Sequence, residues 1–187
     1  MSIRAIPVWY RGYRFRSRLE GRWGCFFDNI GIEFQYEPQG FRLPDGTCYL
    51  PDFWLPVVKA FAEVKPTDPT TEDRKKCELT VMGDGGLFLM LSGPPDFRPY
   101  VGISRDSGEL TVATYSLDVH ANIKAYFGEH RLWSFPDSVL LTEENCSDRY
   151  REAVYAARGA RFDGKDLPKP ANEPFNSTER ELGEGWQ

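Results

Sequence analysis

Two acidic residues and a lysine near the middle of the chain have the types and spacing needed for metal-assisted hydrolysis. Asp52 follows Pro51, and after ten intervening residues come Glu63 and Lys65, two positions apart. The flanking residues predict two strands joined by a tight turn, and alternate residues of a strand project from one face. Carboxylate oxygens bind hard divalent cations, and such a cation can activate water against a phosphodiester. We therefore expect these three side chains to share one surface of a sheet.

The preceding segments predict the elements that must position these residues. Ser17-Arg18-Leu19-Glu20 has the form of a capping box, so we expect a helix that opens there and stops at Gly31. Apolar residues at helical spacing indicate one stripe: Leu19, Trp23, Phe26, Phe27 and Ile30. Three strands are predicted next, with turn residues 38–46 after the first of them: 33–37, 48–55 and 60–65.

The rest of the chain predicts a second helix, further strands and a helical extension. The second helix covers 71–82, and a wholly apolar strand covers 87–91. A hairpin of strands 100–104 and 109–115 turns around Asp106-Ser107-Gly108, and a last helix runs from Thr142 to Arg158 with Thr142 as its cap. We divide the chain into four parts: a basic N-terminal arm 1–16, a core 17–118, a C-terminal helical extension 119–161 and a flexible tail 162–187.

The bulk properties of the chain exclude several classes of protein. Its 187 residues fit one domain, and no apolar run approaches the roughly 20 residues that span a bilayer. The N-terminus lacks the apolar core of a secretory signal, so we expect a cytoplasmic protein that does not contact membrane. Four widely spaced cysteines without a CxxC pair predict reduced thiols and argue against structural zinc: Cys25, Cys48, Cys77 and Cys146.

Basic residues are concentrated near the N-terminus, although the whole chain carries a net charge of -5. Residues 1–31 contain six arginines against Glu20 and Asp28, which gives +4 and leaves -9 for the remainder. Four of these arginines alternate with aromatic residues and suit a segment that grips a nucleic-acid backbone: Arg11, Arg14, Arg16 and Arg18. An ordinary charged strand explains the same pattern equally well. Five charged residues are interpreted as solvated surface: Glu33, Glu37, Asp73, Lys75 and Lys76. Lys75 or Lys76 could still approach DNA from the second helix.

In this order of elements, Pro51-Asp52 and Glu63-Val64-Lys65 resemble the signature of the PD-(D/E)XK, or restriction-endonuclease-like, nuclease superfamily. The preceding helix supplies Glu20, the additional acid of many members. The stretch from Tyr10 to Lys65 resembles small nuclease-like proteins of phage and prophage genomes. Its acid spacing is also similar to that of phage junction-resolving and transposon end-cleaving endonucleases. The second helix lacks the Gln-x-x-x-Tyr pattern of the RecB-like branch, which disfavours an exonuclease of that branch.

The resemblance implies an α/β fold with a restriction-endonuclease-like core. That core is a helix, three strands, a helix and a strand, with a mixed central sheet flanked by helices. An additional hairpin and a C-terminal helix would extend it. Asp52, Glu63 and the backbone carbonyl of Val64 would then ligate Mg²⁺ or Mn²⁺, and Lys65 would orient water or stabilise charge on the phosphate. Glu20 would complete the metal shell, directly or through water.

Each candidate catalytic residue also has a structural interpretation. Asp52 after Pro51 could mark an edge strand, because proline cannot donate to a strand ladder. Glu63 and Lys65 could form a solvated strand face. Glu20 stands at the third helical position, so it could simply close the capping box with Ser17.

The function that the resemblance implies is that of a metal-dependent endonuclease acting on DNA in a bacterial host cell, including branched or phage DNA. The alternative is a catalytically inactive nuclease-fold protein that binds nucleic acid or protein. A homodimer and a phage or host protein partner both remain open, because the sequence does not encode which surfaces pair. A third hypothesis gives the helix from Thr142 to Arg158 an assembly role.

Overall fold

The computed structural model describes residues 5–84, 86–106, 109–118 and 141–162. Within them the protein is an α/β fold with a six-stranded mixed sheet and three α-helices. The helices are α1 (Arg18–Ile30), α2 (Thr71–Asp84) and α3 (Asp148–Gly159). The strands are β1 (Val8–Tyr10), β2 (Tyr13–Phe15), β3 (Gln35–Tyr36), β4 (Phe41–Arg42), β5 (Cys48–Tyr49), β6 (Phe53–Leu55), β7 (Ala60–Lys65), β8 (Leu87–Ser92), β9 (Tyr100–Asp106) and β10 (Glu109–Tyr115). The predicted tail beyond Phe162, most of the turn around Ser107, and 119–140 of the predicted extension lie outside the described residues.

The central sheet has the strand order β10-β9-β8-β7-β6-β3. Among the strand pairs of the described residues, the β7–β8 pair alone is parallel, and α2 forms the crossover between these two strands. Helices α1 and α3 share one hydrophobic core with one face of the sheet, and α2 shares a second core with the other face. The predicted mixed sheet flanked by helices is therefore confirmed.

Helix α1 forms where its end signals predict it. The Ser17 hydroxyl accepts the Glu20 amide hydrogen bond at 3.1 Å, which satisfies an otherwise free donor of the first turn. Gly31 ends the helix with a φ of 83°, a left-handed conformation that glycine adopts without strain. The predicted apolar stripe is buried except for partly exposed Leu19, so the stripe fixes which side of α1 faces the sheet.

The predicted strand 48–55 is wrong as one continuous element. Cys48–Tyr49 pairs with Phe41–Arg42 in a separate two-stranded sheet, and the central strand β6 begins only at Phe53. Pro51 explains the break, because it has no amide hydrogen for a ladder on either side. Asp52 consequently precedes β6 and does not belong to a strand. The predicted turn 38–46 contains β4, and the predicted strand 33–37 is shorter, at Gln35–Tyr36.

The described part of the N-terminal arm forms a hairpin that packs against α1. Strands β1 and β2 are joined by Arg11 and Gly12, whose φ values of 47° and 81° are both positive. Two left-handed residues in a two-residue loop are typical of a type I′ turn, whose twist matches that of the flanking strands. Val8 and Phe15 point into the core, so the sequence of the arm alternates between buried and exposed positions.

The predicted start of the last helix at Thr142 is wrong. Helix α3 begins at Asp148, and Ser147 caps it by accepting a hydrogen bond from the Tyr150 amide. Asp118 holds this cap in place because its carboxylate accepts hydrogen bonds from both the amide and the hydroxyl of Ser147, each at 2.6 Å. Thr142 instead exchanges hydrogen bonds with Asn145 in a preceding turn.

Two further expectations concern thiols and membranes. All four cysteines are described and are free thiols, as predicted. Only Cys48 is exposed, and the other three are buried. Over the described ranges, no helix combines the length and apolar character that a membrane crossing would require.

Candidate active site

Asp52 lies buried at the edge where β6 begins. Its Oδ2 accepts a hydrogen bond from the Val64 amide at 2.8 Å. The carboxylate therefore replaces the backbone carbonyl of a neighbouring strand as the acceptor for this amide. Its backbone carbonyl accepts a hydrogen bond from the Glu37 amide on the opposite side. These two bonds hold Asp52 between β7 and the end of β3, although it belongs to no strand itself.

The Val64 carbonyl faces the same edge. Phe53 pairs with Ala62 in the antiparallel β6–β7 ladder, so continuing that register by two residues places Val64 opposite Pro51. The amide and carbonyl of one strand residue point to the same side, and the Val64 amide already reaches Asp52. Pro51 cannot donate to the carbonyl, because it has no amide hydrogen. The carbonyl oxygen is therefore available next to the Asp52 carboxylate.

Glu63 and Lys65 project from one face of β7, as their spacing predicts. Glu63 Oε1 lies 3.0 Å from Lys65 Nζ, and the Tyr49 hydroxyl donates to Glu63 Oε2 at 3.1 Å. Lys65 Nζ also lies 3.0 Å from Asp73 Oδ1 on α2. The lysine is thus held between two carboxylates, one on its own strand and one on the helix that covers this face.

Electrostatics at Asp52 favour a cation. Burial raises the pKa of the Asp52 carboxyl well above its usual range, and the charge of Glu63 raises it further. The Val64 hydrogen bond and the charge of Arg16, 3.8 Å away, act in the opposite direction but do not cancel the increase. A divalent cation beside Asp52 would stabilise its ionised carboxylate against burial and the neighbouring negative charge.

The charge state of Lys65 is set by its neighbours. Burial alone would lower the pKa of its ammonium group, but the hydrogen bond to Asp73 and the charge of Glu63 raise that pKa above its ordinary value. Hydrogen bonds from Thr70 and then from Lys65 lower the pKa of Asp73 to about 2. Lys65 is therefore a cation and Asp73 an anion at neutral pH, and Lys65 can donate a hydrogen bond but cannot accept a proton.

Glu20 lies beside the Asp52 edge, but its oxygens already have partners. Oε1 accepts from the Ser17 hydroxyl at 2.6 Å, and Oε2 accepts from the Arg16 amide and the Tyr36 hydroxyl. The hydrogen bonds of Glu20 therefore fit its structural interpretation as a residue that closes the capping box at the start of α1. Its negative charge nevertheless contributes to the raised pKa of Asp52, so the side chain is electrostatically part of the site.

The donor set fits a cation that keeps most of its water. Across the residues that the structure describes, no three or more His, Cys, Asp or Glu side chains form a group able to hold a metal ion. The candidate ligands are therefore the two carboxylates of Asp52 and Glu63 and the Val64 carbonyl. Proteins commonly hold Mg²⁺ with one or two carboxylates together with waters and substrate phosphate. The raised pKa of Asp52 supports this fit independently of the sequence motif.

The candidate nucleic-acid-binding residues occupy two regions of the surface. Arg11 pairs with Asp28 at 2.7 Å, and Arg16 pairs with Glu37. Arg14 and Arg18 are exposed on the hairpin and at the start of α1. On α2, Lys75 is exposed and Lys76 pairs with Glu72 at 2.9 Å. Arg16 is the member of the set that reaches the candidate site, because its guanidinium also approaches Asp52.

Sequence reasoning missed Tyr49 and misplaced Asp73 and Glu37. The last two were interpreted as solvated surface, yet Asp73 contacts Lys65 and Glu37 contacts Arg16. One local signal was present for Asp73: Thr70 and Asp73 form a capping box in which the Thr70 amide and hydroxyl both donate to Asp73 Oδ2. That motif places Asp73 in the first turn of α2, directly after β7.

Comparison with known proteins assigns no family to the chain. No protein-family model matches the chain, and no curated protein matches it. The function must therefore be argued from Asp52, Glu63, Lys65 and their contacts.

Proposed function

We propose that the protein is a metal-dependent endonuclease that hydrolyses DNA phosphodiester bonds on a restriction-endonuclease-like core. One observation carries the proposal. The buried Asp52 carboxylate accepts the Val64 amide hydrogen bond where Pro51 interrupts the β6–β7 ladder, and the charge of Glu63, which contacts Lys65, raises the pKa of Asp52. Acidic oxygens next to a protonated lysine are the groups that phosphodiester hydrolysis by a metal-activated water requires.

The roles of the residues follow from their contacts. Asp52, Glu63 and the Val64 carbonyl would hold Mg²⁺ or Mn²⁺, with Glu20 acting through its charge or through water. The bound cation supplies a more acidic coordinated water and neutralises charge on the phosphate. Tyr49 orients Glu63 by donating to its Oε2.

Lys65 contributes a positive charge, because its neighbours keep it protonated. A protonated ammonium beside the cleavage site stabilises negative charge that develops on the phosphate oxygens. The Asp73 contact holds the lysine from the α2 side, which leaves the Glu63 contact free to change when Glu63 binds a cation.

A cleavage assay tests the proposal. Plasmid, branched and single-stranded DNA are each incubated with the full chain, with Mg²⁺ or Mn²⁺ and with a chelator as the blank. We expect cleavage of at least one substrate in metal and none in chelator. Intact DNA in all three reactions, together with Asp52→Ala matching the wild type in Mn²⁺ binding, would remove the proposal.

We expect Asp73 to support cleavage through its contact with Lys65 in addition to capping α2. Asp73→Ala removes both the cap contact and the support of Lys65, whereas Thr70→Ala removes only the cap contact. We expect kcat to fall about tenfold more in Asp73→Ala than in Thr70→Ala, because a misplaced charged group loses on the order of 1–2 kcal/mol of transition-state stabilisation. Equal losses of kcat in the two variants would assign Asp73 a capping role alone.

A non-catalytic module that binds nucleic acid or protein is the second candidate. The observation that favours it is the Glu20 carboxylate, whose two oxygens are engaged by Ser17, Arg16 and Tyr36. Such a module would bind its target equally well with and without metal, and with Glu63→Gln in place of the wild type. Binding that strengthens with metal and weakens in Glu63→Gln would support the endonuclease instead.

A further inference from the structure

The outward face of the N-terminal hairpin carries an exposed tryptophan opposite an arginine. Trp9 and Arg14 are direct partners in the β1–β2 ladder, so their side chains leave from the same face. Arg16 comes directly after β2, and its guanidinium contacts Glu37 and Asp52. We call Trp9, Arg14 and Arg16 the hairpin face.

The aromatic residues that alternate with the arginines are engaged in packing or hydrogen bonds within the protein. Phe15 is fully buried, Tyr13 packs against the core, and the Tyr10 hydroxyl donates to Asp28. Trp9, by contrast, is 48% exposed. Among the residues that the structure describes, its ring contacts no other aromatic ring and no guanidinium, and about half of the residue is accessible to a ligand.

The charge of the hairpin face suits an anionic ligand. Arg14 and Arg18 have no ion-pair partner in the residues that the structure describes, and both are exposed. The Arg16 side chain is 57% exposed although it pairs with Glu37. An exposed arginine opposite a half-exposed indole is a combination that binds single-stranded nucleic acid, where bases stack on aromatic rings and cations hold the phosphates.

The position of the hairpin face connects it to the candidate active site. Arg16, at one end of the face, lies 3.8 Å from Asp52 Oδ1. A strand that passes over Trp9 and Arg14 toward Arg16 would therefore arrive at the Asp52 edge. A paired duplex cannot present an unstacked base to Trp9, which favours a single strand or the frayed end of a branch.

We propose that the hairpin face binds a single-stranded DNA segment, with one base stacked on Trp9 and a phosphate held by Arg14, and leads that strand past Arg16 to Asp52 and Glu63. The binding step stands on the hairpin alone. The destination of the strand rests on the proposed endonuclease function.

Binding of a dye-labelled oligothymidylate to the full chain in chelator tests the proposal without any cleavage. We expect Trp9→Ala to weaken binding about tenfold, since stacking of one base on an aromatic side chain has an effect of this order. Trp9→Phe should recover most of that affinity. Arg14→Ala should reduce the slope of log K against log salt by about 0.7, the value for one phosphate contact on a single strand.

Two comparisons make the outcome decisive. Tyr155→Ala removes another half-exposed aromatic residue, on α3, and should leave oligonucleotide binding unchanged. A blunt duplex should lose little affinity in Trp9→Ala. Wild-type affinity of Trp9→Ala, an equal loss for the blunt duplex, or no binding of oligothymidylate by the wild type would each overturn the proposal. If binding behaves as expected while the wild type cleaves nothing in metal, the endonuclease function fails and the hairpin face stands.

Discussion

Glu63→Gln is expected to reduce metal-dependent DNA cleavage by on the order of 10³-fold. The substitution keeps the size of the side chain and leaves an oxygen to accept from Tyr49, but it removes the negative charge that would hold the cation. Loss of the chemistry that a bound cation supplies corresponds to several kcal/mol of barrier, and ~4 kcal/mol equals a factor of about 10³. Initial rates at saturating DNA in Mg²⁺ measure the effect.

The matched control is Glu72→Gln on the exposed surface of α2. It is the same chemical change, and within the described residues it removes the ion pair with Lys76. We expect its cleavage rate to stay within about twofold of the wild type, because exposed pairs contribute little. Equal rates for Glu63→Gln and the wild type would show that Glu63 does not hold a catalytic cation.

Asp52→Asn is expected to stabilise the metal-free protein at alkaline pH. The pKa of Asp52 is higher in the folded protein than its value of 3.8 in the unfolded chain. The folded state therefore holds this proton more tightly, and stability falls as pH rises from about 4 through the raised pKa. Asparagine keeps an oxygen for the Val64 amide but carries no charge to bury. We expect the free energy of unfolding of the variant to exceed that of the wild type by on the order of 3 kcal/mol at pH 9, and by little at pH 4.

Urea denaturation in chelator at a series of pH values measures this difference. Asp68→Asn, at an exposed position after β7, serves as the control and should follow the wild type. Adding Mn²⁺ at pH 8 should raise the stability of the wild type and leave Asp52→Asn unchanged, because a ligand that binds only the folded state stabilises it. A wild type and an Asp52→Asn variant with parallel pH profiles would contradict the electrostatic description of this site.

The features predicted correctly from sequence are those encoded by local signals. Ser17 and Gly31 bound α1 because capping residues act within one turn of the chain. The Glu63–Lys65 face follows from the two-residue period of a strand. The mixed sheet, by contrast, is what the family resemblance implies, and the structure forms it because α2 is the crossover between parallel β7 and β8.

The features that sequence reasoning missed depend on contacts between distant segments or on competition between signals. Arg16 reaches Asp52 only because the hairpin packs beside the start of β6. The predicted strand 48–55 ignored Pro51, whose missing amide hydrogen outweighed the strand propensity of its neighbours. Helix α3 is capped by Ser147 and not by the predicted Thr142, and Asp118 stabilises Ser147 through a contact that no local pattern encodes.

The most direct test of the proposed site is anomalous diffraction from wild-type crystals soaked in Mn²⁺ above the raised pKa of Asp52. We expect one anomalous peak at about 2.0–2.5 Å from an oxygen of Asp52, an oxygen of Glu63 and the carbonyl oxygen of Val64. The same soak of Glu63→Gln crystals should give no peak there. A wild-type map without density between these groups, or with Mn²⁺ bound only elsewhere, would contradict the assignment of this edge as a metal-dependent active site.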